Sequence, residues 1–484
     1  MNIKRWLLLL PCLLFVIACR PPLFDSGAGP ADPLANLRPS LQSWARGGLA
    51  SDEMYPYYTI QAALDREGTT LDGQMSLRLP QPWPGDEVVL RLYPNFPHYG
   101  GRMVITAARL TGQNLPVTTA AGGTVARLGL PPGDEPAGPL TVEITFIVSL
   151  PQSDRAYTLF GWRDQILSLP GFYPALAVPD ERSWVVDTPP LHADALFGQA
   201  ALYELFLTGP GDLTLAASGN VLSKTENGDG TQTWHVAGGP LRDLTLVLGP
   251  FQTLSEPAAG ATVTAFYLEG DQAAAQAALS HAAAALRLYS DSYGPYPYTE
   301  LDVVEAPLTF RGMEYSGLVL LGRDLYDAQR EHLTFLAAHE VAHQWWYGLV
   351  GSNPYRHPWL DEGLAEYSAF NYYRGVFGQA AAEALLSRRW QVPYETGLRG
   401  GLAGPVDRPA SFFDESNYEL LVYARAALFF DALRAALGEE MFRTVLQTYV
   451  SENRYGIVTP QTLLETAEGL SGQDLGPLVT EWLR

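Results

Sequence analysis

The segment HEVAH at residues 339–343 carries the side chains with the clearest chemical potential in this chain. Its two histidines are four residues apart, so on a helix both imidazoles lie on one face and can bind one metal ion. Glu362 follows His343 by 19 residues, which is enough chain to end one helix, turn, and return a carboxylate to the same ion. A catalytic zinc ion takes three protein ligands and keeps an open position for water. We therefore predict one Zn²⁺ ion bound by His339, His343 and Glu362.

The residues around this motif favour a metal site over a pair of core histidines. Residues 331–347 carry an apolar stripe of helical period, and Gly348 stands where such a helix would stop. Glu362 lies in WLDEG at residues 359–363, where a second helix is expected to begin. Glu340 directly follows the first histidine, so its carboxylate can reach a metal-bound water without binding the metal. We predict that Glu340 is a general base.

Four segments together resemble a known family. They are FRGMEYSG at 310–317, HEVAHQWW at 339–346, WLDEG at 359–363 and YELLVYARAALFFDALRAALG at 418–438. In this order they resemble the gluzincin aminopeptidases of peptidase family M1, the aminopeptidase N and leukotriene-hydrolase group. The resemblance covers roughly residues 51–484. Because the chain ends where the family's α domain ends, we expect a short form without the C-terminal helical-repeat domain.

The resemblance implies roles for residues outside the metal motif. Glu314 is expected to bind the free α-amino group of the substrate, and Gly312 and Met313 to line the edge that binds the substrate backbone. Tyr423 is expected to donate its hydroxyl to the oxyanion, with Tyr418 as the rival tyrosine. Glu366, one helical turn after Glu362, either orients a ligand histidine or pairs with an arginine or solvent.

The sequence also departs from the family pattern. Arg311 stands where the family usually has glycine, Gly312 where it often has alanine, and Tyr315 where it has asparagine. The family's β domain normally contributes a second acidic or amide residue to the amine site. Gln165 is a candidate for that position, but we assign no residue to it.

The period of the apolar residues divides the chain into two parts. Residues 51–254 contain many short runs of alternating apolar residues separated by Gly, Pro and Asn, which predicts an N-terminal antiparallel β domain, a sandwich or saddle. Residues 255–484 are mostly of helical period and carry the chemistry. The predicted fold class is therefore α+β multidomain, with a β domain followed by an α-rich, thermolysin-like catalytic domain.

The N-terminus has the layout of a secretory signal. Lys4 and Arg5 precede an apolar run that ends in the lipobox-like sequence VIAC at residues 16–19. We expect a lipoprotein-type signal peptide at 1–18, lipidation of Cys19 and a flexible tether over 19–50. The alternative is an uncleaved N-terminal anchor. Both place the catalytic part outside the cytoplasm, on the extracytoplasmic face of a bacterial membrane.

The net charge and the motifs together limit the possible functions. A net charge of −21 argues against nucleic acid as a partner, because phosphate binding needs concentrated Lys and Arg. The predicted function is that of a zinc aminopeptidase that hydrolyses the N-terminal bonds of peptides with a free N-terminus. Two alternatives remain: a thermolysin-like endopeptidase, and a catalytically weak, metal-bound surface binding protein. The oligomeric state and the preferred N-terminal side chain stay open.

Overall fold

The structure is a computed structural model, and it describes residues 32–49, 54–80, 83, 85–131, 139–153, 159–180, 183–308 and 311–484. The predicted signal peptide, the lipidation site Cys19 and residues 20–31 of the predicted tether lie outside these described residues. Residues 34–484 form one compact unit. Among the described residues, no helix combines the length and apolar character needed to cross a bilayer.

Alternating apolar residues build the sheets of the first half of the chain. In the first strand, Ile60, Ala62 and Leu64 are buried and the residues between them are partly exposed, as expected when one face of a strand packs on a core. The strands are β1 (Tyr57–Leu64), β2 (Thr70–Arg78), β3 (Glu87–Arg91), β4 (Arg102–Leu110), β5 (Gln113–Asn114), β6 (Val117–Ala120), β7 (Val125–Gly129), β8 (Thr141–Ser149), β9 (Gly161–Arg163), β10 (Ile166–Ser168), β11 (Ala175–Leu176), β12 (Ala201–Pro210), β13 (Thr214–Ala217), β14 (Asn220–Glu226), β15 (Thr231–Leu241) and β16 (Leu246–Gly249).

These strands form three sheets within the described residues. The largest has the order β14-β15-β12-β1-β2-β8-β4-β5, and the smaller ones have the orders β13-β16-β10-β9 and β11-β3-β7-β6. Pairing is antiparallel except between β1 and β12, which are far apart in the chain and run parallel. The predicted β domain is confirmed, with this one parallel pair inside it.

A mixed sheet and a set of helices build the second half. The strands are β17 (Gln252–Ala258), β18 (Ala261–Tyr267), β19 (Glu300–Ala306), β20 (Gly312–Tyr315) and β21 (Leu318–Gly322), in the order β17-β18-β19-β21-β20, and a further pair is β22 (Gly351–Ser352) with β23 (Ile457–Val458). The α-helices are α1 (Gln272–Tyr293), α2 (Leu333–Ala342), α3 (Trp359–Phe377), α4 (Gln379–Leu386), α5 (Val392–Arg399), α6 (Ala426–Leu437), α7 (Glu439–Glu452), α8 (Pro460–Ser471) and α9 (Gly476–Trp482). The predicted order of a β part and an α-rich part is confirmed. The predicted boundary after residue 254 falls inside β17.

Short helical turns complete the described backbone. The 3₁₀ turns are Arg38–Ser40, Arg46–Gly48, Tyr93–Asn95, Ala121–Gly123, Arg323–Leu325, Arg330–His332 and Ala410–Phe412, and the π-helical turns are Ser387–Gln391 and Glu419–Arg425.

The metal-motif helix is shorter than its apolar pattern predicts. The pattern predicts a helix over 331–347, whereas α2 ends at Ala342. Beyond that point the hydrogen bonds change register, since the amide of Gln344 donates to Val341 O and the amide of Gly348 to His343 O. Tyr347 also has a φ of 148°, which is incompatible with a helix.

In the segment before β1 the structure differs from the flexible tether predicted over residues 19–50. Leu34, Leu37, Leu41 and Leu49 are all at most 3 % exposed and belong to the main apolar core. The Gln42 side-chain amide donates to the carbonyl oxygens of Ala259 and Tyr296, on the catalytic side. The Pro and Gly content of 19–50 suggested a free linker, but the spaced leucines bury enough apolar surface to hold residues 34–49 on the folded body.

Candidate metal centre

Two helices bring the predicted metal ligands together. His339 lies on α2, and His343 directly follows the end of this helix with helical backbone angles, so the two imidazoles remain one turn apart. Glu362 lies in the first turn of α3. All three side chains are buried. The structure therefore gathers the three side chains that the spacing predicted.

The distances between the ligand atoms fit one small cation. His339 Nε2 lies 3.2 Å from His343 Nε2 and 3.3 Å from Glu362 Oε2, and His343 Nε2 lies 3.6 Å from Glu362 Oε2. A tetrahedron with bonds of about 2.0–2.1 Å to zinc has edges of about 3.3–3.4 Å between ligands. Glu362 Oε2 is buried and has no hydrogen-bond partner. The donor set and its spacing fit zinc, in agreement with the predicted single-ion site.

The electrostatics of the cluster also favour a positive charge. Burial alone raises the pKa of Glu362, but its contacts with His339 and His343 outweigh burial and lower the pKa. Burial alone lowers the pKa of His343, but the carboxylates of Glu314 and Glu362 outweigh it and raise the pKa. The carboxylates around His343 thus stabilise a cation at the centre of the site.

The outer nitrogen of each imidazole faces an oxygen atom of the protein. His343 Nδ1 lies 2.9 Å from Trp346 O, to which it can donate. His339 Nδ1 lies 3.6 Å from Glu366 Oε1. Glu366 is fully buried and accepts hydrogen bonds from Arg389, at 2.6 Å and 2.8 Å, and from Trp390 Nε1 at 2.7 Å. Glu366 therefore pairs with an arginine, as one of the two interpretations predicted, and its carboxylate lies near the ligand histidine without a hydrogen bond to it.

Glu340 lies against the backbone of the edge strand. A Cβ atom on Gly312 would be 2.0 Å from Glu340 Oε1, so a residue with a side chain would displace this carboxylate. Burial raises the pKa of Glu340 to about 8, although His339 and His343 act against this shift. Glycine at 312 gives Glu340 its place beside the metal ligands.

Glu314 approaches the same centre from β20. Ligand-type atoms of Glu314, Glu340 and His343 all lie within 4.8 Å of one another. Glu314 is 8 % exposed, and burial raises its pKa. Met313 precedes it on the same strand and is half-buried. Since β20 is the last strand of its sheet, its outer edge can take an extended chain.

Gln344 fixes the position of this strand relative to α2. Its Oε1 accepts a hydrogen bond from the Gly317 amide, and its Nε2 donates to Tyr315 O, both at 2.9 Å. Asp243 adds a contact from the β part, since it accepts from the Ser316 amide at 2.9 Å. Both residues hold the turn that follows Glu314.

Tyr423, rather than Tyr418, reaches the metal ligands. It lies in the π-helical turn Glu419–Arg425, and its hydroxyl donates to Glu362 Oε1 at 2.6 Å. The Tyr418 hydroxyl is buried and has no hydrogen-bond partner. Single π-helical turns are frequent at functional sites. The geometry thus distinguishes between the two tyrosines that the sequence left as rivals.

Asp194 is a site residue that the sequence did not reveal. It lies between β11 and β12, in a segment anchored by a hydrogen bond of 2.6 Å from the Tyr355 hydroxyl to Ala195 O. Burial raises the pKa of Asp194 to about 8, and the nearby carboxylates of Glu362 and Asp361 act in the same direction. Among the neighbouring charges, that of Asp194 raises the pKa of Glu314 most. No motif or period marks this segment, so only the tertiary structure reveals the residue.

Gln165, the candidate from the sequence, lies elsewhere. It is exposed on the turn between β9 and β10, with a φ of 69°. The structure gives it no contact with the metal ligands.

Comparisons with known proteins agree with this geometry. Residues 277–482 match the sequence profile of the peptidase family M1 domain. The chain is 28 % identical over 308 residues to Aminopeptidase M1-B of Oryza sativa subsp. japonica, covering 59 % of this chain and 34 % of that protein. It is 25 % identical over 303 residues to Aminopeptidase M1 of Arabidopsis thaliana, with the same shares covered. The chain thus spans about a third of the length of these curated relatives.

A solved structure matches over most of both chains. It is the M1 zinc metallopeptidase from Deinococcus radiodurans, with a TM-score of 0.65, 22 % identity and coverage of 89 % of this chain and 93 % of that one. This likeness confirms the predicted two-part fold. The resemblance drawn from the four motifs is confirmed as well, since residues 277–482 match the profile of the peptidase family M1 domain.

Proposed function

We propose that the protein is a zinc-dependent aminopeptidase that hydrolyses the N-terminal peptide bonds of peptides. One observation carries the proposal: two groups of side chains converge and share His343. His339, His343 and Glu362 fit a metal ion. Glu314 and Glu340 meet the same histidine within 4.8 Å, so a carboxylate able to pair with an ammonium group lies beside a candidate base.

The residues have distinct tasks in this proposal. Zinc, when bound, polarises the attacking water and lowers its pKa. Glu340 accepts the proton of that water and passes it to the leaving nitrogen. The Tyr423 hydroxyl donates a hydrogen bond to the carbonyl oxygen as charge develops on it. Because this hydroxyl donates to Glu362 in the structure, it must turn from the ligand carboxylate to the substrate.

Two carboxylates recognise the free N-terminus, of which Glu314 is buried and Asp194 is half-buried. We assign Glu314 as the first acceptor of the substrate ammonium and Asp194 as the residue that the β part adds. The negative charges of these carboxylates are costly to remove from water, and an ammonium group between them offsets this cost. An acetylated N-terminus carries no positive charge and leaves both carboxylates without a cation. The peptide backbone would follow β20, along Gly312 and Met313. This arrangement favours an aminopeptidase over a thermolysin-like endopeptidase.

Aminoacyl fluorogenic amides test the chemistry directly. Glu340→Gln should keep zinc, measured by elemental analysis, and lower kcat by about 10²–10⁴ because the base is lost. Glu331→Gln is the matched control, since Glu331 is exposed just before α2 and should leave turnover unchanged. Removing zinc by chelation should abolish turnover, and adding zinc should restore it. An active Glu340→Gln variant would rule out the proposed base.

Matched peptides with a free or an acetylated N-terminus distinguish the alternatives. The free peptide should lose its first residue, and the acetylated peptide should remain intact over the same period. Equal cleavage of both would favour the endopeptidase. Zinc binding without turnover of either would favour the surface binding protein.

We further propose that the protein is exported and held at a bacterial membrane by lipid on Cys19. The support comes from the sequence alone: two basic residues, an apolar run and VIAC at residues 16–19. Metabolic labelling with an alkyne fatty acid should label the wild type and not Cys19→Ala. Equal labelling of both would exclude Cys19 as the acceptor.

A further inference from the structure

A polar cleft of about 360 Å³ lies where the β part meets the loop before β20. Pro307 and Leu308, from that loop, form part of its wall. The charged side chains of the wall are four aspartates and two arginines: Asp164, Asp271, Asp324, Asp327, Arg163 and Arg323. Aspartates outnumber arginines, so the cleft carries net negative charge.

The two arginines are engaged by other carboxylates. Arg323 Nη1 donates to Asp164 Oδ2 at 3.0 Å, and its Nε lies 3.4 Å from Glu305 Oε1. Arg163 Nε donates to the same oxygen of Asp164 at 3.4 Å. By contrast, Asp271, Asp324 and Asp327 form no ion pair with an arginine or lysine of the described residues. The Asp271 side chain shares a hydrogen bond with the Glu305 carboxyl group. Asp324 and Asp327 are therefore the carboxylates available to a cation that enters the cleft.

A buried hydroxyl gives a second, independent indication of a ligand. Tyr326 lines the cleft and is 4 % exposed, and its hydroxyl is buried with no hydrogen-bond partner. A buried hydroxyl without a partner costs free energy unless another group satisfies it. An ammonium or guanidinium group in the cleft can donate to this oxygen while it pairs with the aspartates.

The cleft lies near the end of β20 toward which a bound peptide would run. If Glu314 holds the ammonium and Glu340 attends the first peptide bond, the substrate runs along β20 from Glu314 toward Gly312. At that end of β20 the Gly322 amide donates to Arg311 O at 2.8 Å, and a Cβ atom on Gly322 would lie 2.6 Å from Leu308 O, so the wall of the cleft begins beside the end of this strand. Gly312 also pairs with Leu321, two residues before Arg323. With the first residue beside Glu314, the third residue of an extended peptide lies beside Gly312, and the fourth and fifth, at about 3.3 Å each, lie just beyond the strand.

We propose that the cleft is a distal substrate subsite that takes a lysine or arginine side chain at the third to fifth position of the peptide. The proposal rests on the aminopeptidase function proposed above, because that function sets the direction of the substrate. It makes peptides with a basic residue close to the N-terminus the preferred substrate class.

Peptides that differ at one position test this subsite. In the series Leu-Ala-Ala-Xaa-Ala-Ala, with Xaa also moved to the third and fifth positions, Lys should give a kcat/KM about 5- to 20-fold above that of Gln, mainly through KM. Asp324→Asn combined with Asp327→Asn should bring this ratio close to one. The control pair Asp212→Asn and Glu226→Gln, both exposed in the β part, changes the net charge equally and should keep the ratio.

Two readouts separate this proposal from the function on which it rests. Leucyl fluorogenic amide does not reach the cleft, so its hydrolysis should be equal in wild type and in both double variants. Fluorescence anisotropy of C-terminally labelled peptides on Glu340→Gln reports binding without turnover, and Lys should bind more tightly than Gln. A Lys to Gln ratio of one in the wild type, or a ratio that survives in the Asp324→Asn, Asp327→Asn variant, overturns the subsite. Failure to hydrolyse the amide overturns the aminopeptidase function, and the anisotropy result then decides on the cleft alone.

Discussion

The metal end and the amine end of the site are built in different ways. The metal ligands come from α2, from His343 directly after it and from α3, and the outer nitrogen of each histidine faces an oxygen atom of the protein. The proposed amine end combines an edge strand with Glu314 and an irregular segment with Asp194, and Tyr423 joins from a π-helical turn. Helical spacing therefore determines the metal end, while tertiary packing determines the amine end. Substitutions at the two ends should change different measured quantities.

Tyr423 lies where the metal end and the amine end meet, and the substitution Tyr423→Phe should cause the largest fall in kcat. Removing one oxyanion donor costs about 10²–10³ in kcat, and zinc content should stay unchanged because Tyr423 contacts a ligand without being one. Steady-state kinetics and elemental analysis of the same preparation measure both quantities. Loss of zinc would show instead that the hydrogen bond to Glu362 holds the metal end together.

Glu366→Gln should affect the metal end alone. Carboxylates behind a ligand histidine contribute about 10- to 100-fold to metal affinity, so zinc affinity should fall by that factor in competition with a chelator. KM for aminoacyl amides at saturating zinc should not change. Glu383→Gln, exposed on α4, is the control. An unchanged affinity would mean that Glu366 serves mainly to pair with Arg389.

Asp194→Asn should affect the amine end alone. Losing one charged hydrogen bond should raise KM for substrates with a free N-terminus about tenfold, with zinc content preserved. Asp187→Asn provides the control, because Asp187 is exposed on the same segment. If KM stays constant while zinc is lost, Asp194 belongs with the metal ligands and the separation between the two ends fails.

The same distinction explains what the sequence could predict. His339, His343 and Glu362 follow from helical spacing, which survives even though α2 ends at Ala342. Asp194 could not be found, because its segment has no period and its neighbours in space lie far away in the chain. Residues 34–49 were predicted as part of a tether, since Pro and Gly obscured the spacing of leucines that are buried.

Tyr418→Phe should have the smallest effect and completes the comparison. The Tyr418 hydroxyl is buried without a partner, so its removal leaves no other group unsatisfied and should change kcat by less than about threefold. The ring, which packs against His192 and Tyr423, remains in place. Kinetics of Tyr418→Phe beside Tyr423→Phe measure this contrast under identical conditions. A fall in kcat as large as that of Tyr423→Phe would give Tyr418 the oxyanion role, whereas a rise in KM alone would place its hydroxyl at the amine end with Asp194.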